Sequence, residues 1–292
     1  MIALIKRNSL LYFRNRSGVL FSLLSAGISF VLYLVFLKHG MKTDWSQLPQ
    51  TNQLLDSWLI GGTLTLTGIS ATLAGLNQLV KDRESQVRTD LLMTDTSAVR
   101  LQISYLISAA MVGLVMQIIM LAIMLSVFNL TDHFTITIAV WPRLVQLMVI
   151  NSLLATVVNA VIIQWVGSVD NIGRLATIIG TASGFLVGIY IPIGSLPKFA
   201  QTLVKLTPGS YVAALYRQVL MTDTLKTVFH GNKSGQHHFE RLMGVQLTWS
   251  KLLTQQQTYH IIGIIFVVSL LLVVIPTGWL RWHEQRHVRV NL

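Results

Sequence analysis

The sequence predicts an all-α integral membrane protein with six transmembrane helices. Two observations predict this class. Apolar residues make up 52% of the 292 residues and charged residues only 11%, with a mean hydropathy of +0.61, which is too apolar for an ordinary soluble domain. The apolar residues are also gathered into stretches of about 20, the length that crosses a bilayer as a helix.

Six stretches are long and apolar enough to be transmembrane helices. They are residues 17–37, 57–80, 101–128, 144–167, 174–193 and 260–280. The first follows the basic stretch "KRNSLLYFRNR" but is longer than the apolar part of a secretory signal peptide, and no A-x-A-like cleavage site follows it. We therefore expect a retained transmembrane helix there.

The distribution of basic residues predicts that both termini lie in the cytoplasm, because short cytoplasmic loops are enriched in Lys and Arg. In this orientation the inner segments carry Lys6, Arg7, Arg14, Arg16, Lys81, Arg83, Arg88, Arg100, Arg174, Arg281, Arg286 and Arg289. The two short outer loops carry only Lys38, Lys42 and Arg143. The long segment 194–259 is predicted to be outside, where the rule has little force.

Charge and cysteine content exclude several classes of function. The net charge of +11 would suggest nucleic acid if it lay on a soluble face, but it flanks apolar segments, so membrane lipid is the expected partner and no nucleic acid is expected. The lack of cysteine excludes disulfides, thiolate metal sites and cysteine nucleophiles. Within the predicted spans, Asp, Glu, Lys and Arg occur only at the ends. This argues against a carrier driven by protons or sodium, although such carriers can use backbone carbonyls in place of ionisable side chains.

The inner loop 81–100 is the first stretch that could carry function. Its charged residues precede an apolar patch, and they are Asp82, Arg83, Glu84, Arg88 and Asp90, followed by Leu91, Leu92 and Met93. A short helix here could present a charged face and an apolar face to a soluble partner. The alternative is a solvated connector anchored by basic residues.

The stretch 190–221 is the second that could carry function. Pro192, Pro197 and Pro208 interrupt an apolar pattern that is too broken to span the bilayer again. Irregular backbone at membrane depth persists only where protein or a water-filled cavity covers it, so we expect short re-entrant helices before the last span. An amphipathic segment on the membrane surface is the alternative.

Two histidine groups raise the question of a metal site. His283, Glu284 and His287 form H-E-x-x-H, the pattern of zinc proteases, but only "VRVNL" follows and supplies no third ligand. A further group, His230, His237 and His238 with Glu240, lies in a polar loop that could bind a divalent ion or simply be solvated. We expect no metal at either place.

Methionine and amide side chains within the spans leave two interpretations open. Met111, Met116, Met120 and Met124 could line a path for apolar substrates or pack as ordinary core. Gln117, Asn151, Asn159 and Gln164 could face a translocation path or hydrogen-bond neighbouring helices.

Two of these stretches resemble a known family. "DRESQVRTDLL" followed by "TDTS" resembles the loop of ABC-2 type export permeases, and "SLPKFAQTLVKLTPGSYVAALYRQVL" resembles the segment before their last span. The matching positions are Asp82, Arg83, Glu84, Asp90, Leu91 and Leu92 in the first, and Leu196, Pro197, Pro208, Tyr211, Leu215 and Arg217 in the second. Ser85 and Gln86 replace the family's Gly-Thr pair, and Asp95 replaces its proline after Thr94.

The resemblance implies one ABC-2 type transmembrane domain over residues 1–292, with residues 1–16 as an interfacial helix. It implies a dimer of two permease chains, identical or related, and a cytoplasmic ABC ATPase subunit docked on the coupling loop 81–100. It also implies that Leu196, Pro197, Pro208, Tyr211 and Arg217 form a re-entrant gate. ATP and Mg would be bound by the partner ATPase.

This chain has no cofactor of its own and no catalytic residue in this interpretation. It contains no G-x-x-x-x-G-K-[ST] phosphate loop, and "GNKSG" at 231–235 lacks the spacing. Any ATP hydrolysis must therefore come from another polypeptide, and the resemblance implies the permease subunit of an ATP-driven exporter in a bacterial cytoplasmic membrane. The alternatives are an intramembrane zinc metalloprotease using HEQRH and a membrane sensor or scaffold that does not transport.

Overall fold

The computed structural model describes residues 1–94, 96–249 and 251–290, of which 276–290 are described as helical backbone only. Its helices are α1 Ile2–Arg14, α2 Arg16–Leu32, α3 Lys38–Asp44, α4 Thr51–Glu84, α5 Val87–Met93, α6 Ala98–Asp132, α7 Trp141–Ile163, α8 Val169–Leu186, α9 Lys198–Leu206, α10 Pro208–Phe229, α11 Lys233–Leu242 and α12 Gln255–Val290. A π-helical turn joins α2 to α3. Helices account for 83% of the residues, and the described part contains no strand, which confirms the all-α prediction.

Five helical stretches are long and apolar enough to cross a membrane. They are Arg16–Asp44, Thr51–Glu84, Ala98–Asp132, Ile138–Ile163 and Gln255–Ile275. Each overlaps a predicted span, so the protein is a multi-pass membrane protein. Most of these helices extend several residues beyond the predicted bounds, because polar residues at the ends of a span continue the helix after the apolar stretch has stopped, whereas Ile138–Ile163 ends before the predicted bound at residue 167. Ser97, for example, begins α6 by accepting a hydrogen bond from the backbone N–H of Arg100.

The predicted fifth span, 174–193, coincides with α8 and the turn that follows it. α8 has 18 residues, a length of about 27 Å, and it is not among the five long apolar helices. It ends at Leu186 because Gly188 adopts a left-handed conformation with φ of 70°. A crossing by α8, and with it the total of six spans, stays a prediction.

α4 is the central helix of the bundle. In the apolar part of α4, 83% of the residues are buried, compared with 28% in the α2–α3 stretch and 22% in the apolar part of α12. It packs against α2, α6, α7, α8 and α10. The contact with α6 is close because Gly75 has no side chain: a Cβ there would lie 3.0 Å from Cα of Ala109. The more exposed α2 and α12 therefore form the outer faces of the bundle.

The two ends of α4 define two ends of the molecule. We call the end with α1, α5 and the turn between α7 and α8 the α1 end, since Arg7 meets Asp82 there. We call the opposite end, with α3, α9 and α11, the α11 end, since Trp45 after α3 packs edge-on against Phe239 of α11.

The segment before the last span differs from the prediction of short re-entrant helices. α9 is short, with nine residues, but α10 has 22 residues and is largely buried against α4 and α7. α10 is longer than expected because Pro208 was interpreted as an interruption, whereas it occupies the first turn of α10, where proline fits without losing a hydrogen bond. Re-entry of this segment into the membrane stays a prediction.

Candidate coupling site and groove

Asp82 forms a buried clamp at the α1 end. It is 2% exposed, and the Arg7 guanidinium donates two hydrogen bonds to its carboxylate, at 2.7 and 3.1 Å. Tyr105 of α6 donates at 2.5 Å and Gln78 of α4 at 2.6 Å. The hydrogen bond to Asp82 is the main reason why the pKa of Arg7 is raised. The clamp joins α1, α4 and α6, so Asp82 faces the interior and not a partner protein.

The next two predicted coupling residues connect α4 to the turn before α8. Glu84 is exposed, and its Oε2 accepts a hydrogen bond of 2.9 Å from the backbone N–H of Val169, in the first turn of α8. The Arg83 side chain is half-buried and donates to the carbonyl of Val166 at 3.4 Å. Both residues therefore link the end of α4 to the start of α8.

The remaining predicted coupling residues lie on α5. Leu91 and Leu92 are half-buried and pack with Leu4 of α1 against the core at this end. Asp90 is exposed, and Arg88 is half-buried. Met93, which was predicted to belong to the same apolar patch, is 81% exposed. α5 thus presents an acidic group and an apolar side chain outward, as the surface-helix interpretation of this loop requires.

Asp82 was predicted to lie in the inner loop 81–100, whereas it lies in the last turn of α4, and its partners were not predicted. Arg7 and Tyr105 lie far from it in the chain, and Arg7 was interpreted only as a basic flanking residue. No local pattern connects these positions, because the clamp depends on how α1 crosses α4 and α6.

We expect Arg7→Gln to loosen α1 from the bundle. Gln cannot replace the two charge-assisted hydrogen bonds to Asp82, so amide hydrogen exchange in α1 should accelerate about tenfold or more. Hydrogen–deuterium exchange of the purified protein, read by mass spectrometry, measures this. Arg14→Gln, an exposed change at the end of the same helix, is the control, and equal acceleration by the two variants would contradict the clamp.

A groove of about 1020 Å³ lies between α2, α4 and α8. Its wall is mostly apolar and also carries hydroxyl and amide side chains, namely Ser22, Ser25, Ser70, Asn77, Thr177 and Thr181. The Oδ1 atom of Asn77 is buried with no hydrogen-bond partner. Asp170 and Arg174 from the first turns of α8 also line the groove. An amphipathic molecule would find both kinds of surface here.

The predicted gate residues do not form one cluster. Leu196 is half-buried, and Pro197 is exposed at the start of α9. Tyr211 is buried and donates a hydrogen bond of 2.7 Å to the carbonyl of Lys205, which ties α10 to α9. With Pro208 at the start of α10, these residues shape the connection between the two helices, and Arg217 lies deeper in the bundle.

The Arg217 guanidinium is completely buried and bonded to backbone carbonyls. It donates to Val187 and Gly188 at 3.1 and 2.9 Å, and to Trp58 and Gly244 at 3.3 Å each. Its guanidinium carbon lies 4.8 Å from the centroid of the Trp58 ring, a distance typical of a cation–π contact. Because Val187 and Gly188 end α8, the negative end of that helix dipole faces the cation. Arg217 therefore joins α4, α8 and α10.

The comparison with known families agrees with this arrangement. The family model described as ABC-2 type transporter matches residues 1–221, which include the clamp, the groove and the gate residues. The chain belongs to the ABC-2 type transporter family. No individual curated protein matches the chain. Membership makes this protein an ABC transporter permease, and in general terms it implies an ABC ATPase partner and a dimer of membrane subunits.

The amide side chains within the spans of this ABC-2 permease hydrogen-bond neighbouring helices. Gln117 Oε1 accepts from Asn151 at 2.9 Å and from Tyr216 at 2.8 Å, and its amide donates to Ser152 at 2.7 Å. Asn159 donates to the carbonyl of Ile69 at 2.9 Å. These groups hold α4, α6, α7 and α10 together inside the protomer and do not line the groove.

The methionines and the other amide have similar structural surroundings. Met116, Met120 and Met124 are buried in the core, and Met111 is 49% exposed. Gln164 donates to the carbonyl of Leu272 at 3.2 Å. The packing interpretation of both sets therefore fits the permease better than the pathway interpretation.

The histidine groups do not make a metal centre in the described part of this permease. No three His, Asp or Glu residues are placed there to hold an ion. His237 and His238 are exposed, whereas Glu240 is buried and accepts a hydrogen bond of 2.7 Å from Gln236. His283, Glu284 and His287 have side chains outside the described residues.

Proposed function

We propose that this permease is the membrane subunit of an ATP-driven exporter in a bacterial cytoplasmic membrane, with both termini in the cytoplasm. Two permease chains, identical or related, pair with two cytoplasmic ABC ATPase subunits. The ATPase subunits bind ATP and Mg and hydrolyse the ATP. The permease contributes the groove for the substrate and the surface on which the ATPase docks.

The observation that supports this proposal is that α4 carries the clamp at its end and lines the groove along its length. Residues 82–84 bond to α1 and to the turn before α8, and α8 forms the facing wall of the same groove. A displacement at the α1 end would therefore act on both walls. Helices are stiff compared with loops, so such a displacement is transmitted along them.

The exposed face of α5 supports docking of the ATPase at this end. Asp90 and Met93 project outward from α5, while Leu91 and Leu92 anchor the helix to the core. ATP-driven closure of the partner would push on this anchored helix. The push would switch the bundle between two packing arrangements, because close-packed interfaces change in steps and not continuously. Glu84 has two roles in this scheme: it holds the turn before α8 and offers a charge to the ATPase.

The outer face of α2 supports pairing with a second chain. Leu20, Phe21, Leu24 and Ile28 of α2 are between 47 and 71% exposed. This face is continuous with the groove, since Phe21, Leu24 and Ile28 also line it. A second permease chain at this face would close the groove from the side.

The test is affinity purification of the tagged full-length permease from its native host in mild detergent. We expect a P-loop ATPase to co-purify in stoichiometric amount with the wild type. Glu84→Lys removes the bond to Val169 and places a cation at the docking surface, and we expect it to reduce recovery of the ATPase about tenfold or more. Asp90→Lys should also reduce recovery of the ATPase, and it leaves the contact between Glu84 and α8 intact.

Asp44→Lys is the control variant, because Asp44 is exposed at the α11 end of the molecule. It makes the same charge change and should leave ATPase recovery unchanged. If no ATPase co-purifies with the wild type, the exporter proposal fails in favour of a sensor or scaffold. If bound zinc is found instead, the metalloprotease alternative at His283, Glu284 and His287 returns.

A further inference from the structure

A second cleft, of about 370 Å³, opens at the α11 end, away from the groove. α9 and α11 form two of its walls, and the segment 246–249 forms another. The side chains that give the cleft its chemistry are Lys205, Arg241, His238, Thr248, Trp249 and Gln201. Its volume is in the range of sites that hold small molecules or head groups.

The cleft is cationic and rich in hydrogen-bond donors. Lys205 and Arg241 contribute two positive charges, and among the described residues no Asp or Glu lines the cleft. None of the ion pairs found among the described residues involves either cation. The hydroxyl of Thr248 is buried without a partner. Ammonium, guanidinium and hydroxyl groups all donate, so this set of side chains matches an oxyanion.

Contacts within the protein hold the wall of the cleft in place. The Lys205 ammonium lies 5.7 Å from the centroid of the Trp249 ring. The Trp249 indole donates to the Tyr211 hydroxyl at 3.1 Å, and that hydroxyl donates to the carbonyl of Lys205. Gln201 is fixed by donating to the carbonyl of Leu196 at 2.8 Å. Because these contacts already order the wall, binding of a ligand costs little conformational entropy.

The surroundings of the cleft are suited to a membrane surface. α9 exposes Phe199, Leu203 and Leu206 along one face, by 76, 42 and 67%, the arrangement of a helix lying at the boundary between head groups and acyl chains. Trp249 is 53% exposed, and tryptophan is enriched at that boundary. The phosphates of lipid head groups are oxyanions that lie at this boundary.

We propose that this cleft binds a phosphate group, supplied by an anionic phospholipid head group at the membrane surface. Lys205 and Arg241 hold the phosphate oxygens, and Thr248 donates a further hydrogen bond. Trp249 and α9 contact the lipid beside the head group. Binding requires neither the ATPase nor transport, so it can be tested in the isolated permease.

The experiment is a lipid titration of the purified full-length permease in detergent, read by native mass spectrometry. Phosphatidylglycerol is compared with phosphatidylcholine, and inorganic phosphate is added as a competitor. We expect the wild type to bind phosphatidylglycerol about tenfold or more tightly than K205Q/R241Q does. Thr248→Val should weaken binding about tenfold, since it removes one hydrogen bond to an ionised acceptor.

The matched control is K198Q/K233Q, which removes two exposed cations from the same two helices outside the cleft. It should bind like the wild type. An equal loss of lipid affinity in the control and cleft variants would mean that the lipid is held by general charge attraction. Unchanged lipid affinity in K205Q/R241Q would mean that the lipid binds elsewhere. Either result overturns the proposal. If the wild type, but not K205Q/R241Q, binds inorganic phosphate without retaining lipid, the phosphate site is upheld with a free phosphate as its ligand. Thermal unfolding of each variant checks that it folds.

Discussion

Arg217→Met is expected to lower the free energy of unfolding by about 3 kcal/mol or more. Methionine fills much of the same space but donates no hydrogen bond. The carbonyls of Trp58, Val187, Gly188 and Gly244 would then lose the donor that they share in the wild type. A buried polar group without a partner costs about 1–3 kcal/mol. The carbonyls of Val187, Gly188 and Gly244 lose their donor together, whereas that of Trp58 keeps its backbone hydrogen bond within α4. Unfolding of the purified permease in mixed detergent micelles measures the change.

Two further variants separate the role of Arg217 from a general effect of charge on α10. Lys226→Met removes a cation from the exposed face of the same helix and should change stability by less than about 0.5 kcal/mol. Arg217→Lys keeps the charge but offers a compact ammonium in place of the planar guanidinium, so it should fall between the wild type and Arg217→Met. Wild-type stability in Arg217→Met would mean that the carbonyls of Val187, Gly188 and Gly244 need no donor.

The position of Arg217 also connects stability with the proposed transport cycle. It holds the end of α8 against α4, and these helices form two walls of the groove. At the other end of the molecule, Glu84 holds the start of α8 against the end of α4. The two helices are thus fastened at both ends of the groove. A transition that opens the groove has to move them as a unit or release one of these contacts.

The fold class could be predicted from the sequence because hydropathy is a property of long stretches. A run of about 20 apolar residues predicts a membrane helix whatever it packs against. The ends of the helices were harder to predict, since α4 continues through polar residues to Glu84. Pro208 was misleading for a related reason: proline at the start of a helix and proline that breaks one look the same in a sequence.

The contacts of the site could be predicted only in part. The charged residues before Leu91 indicated an exposed surface helix, which α5 provides. The inward position of Asp82 depends on Arg7, 75 residues away, and no periodicity connects the two. Lys38 was likewise assigned to a short outer loop, whereas the structure places its ammonium between the carboxylates of Asp56 and Asp132. Such pairs arise from the crossing of helices, which local patterns do not determine.

Lys38→Met is expected to destabilise the protein by about 3–5 kcal/mol, because it leaves two carboxylates without their shared cation. The Lys38 ammonium lies 2.8 Å from Asp56 and 2.6 Å from Asp132, and the Asp56 side chain is fully buried. Tyr33 donates to Asp56 at 3.0 Å and Asn52 to Asp132 at 2.8 Å, but neutral donors do not balance two negative charges. Unfolding in mixed micelles measures the loss, and Lys42→Met, at an exposed position on α3, should show little change.

A double-mutant cycle distinguishes the loss of the ion pair from the loss of packing around Lys38. Asp56→Asn alone removes the more deeply buried negative charge and leaves Lys38 paired with Asp132. If the cation matters because it compensates for Asp56, K38M/D56N should be more stable than K38M, and the coupling energy should exceed about 1 kcal/mol. Additive losses would show that Lys38 acts through its packing over Tyr33 and Phe128, whose ring centroids lie 5.9 and 5.1 Å from its ammonium. A large coupling would instead mean that this charge cluster fastens α3, α4 and α6 together at the α11 end, as Arg7 and Asp82 fasten α1, α4 and α6 at the α1 end.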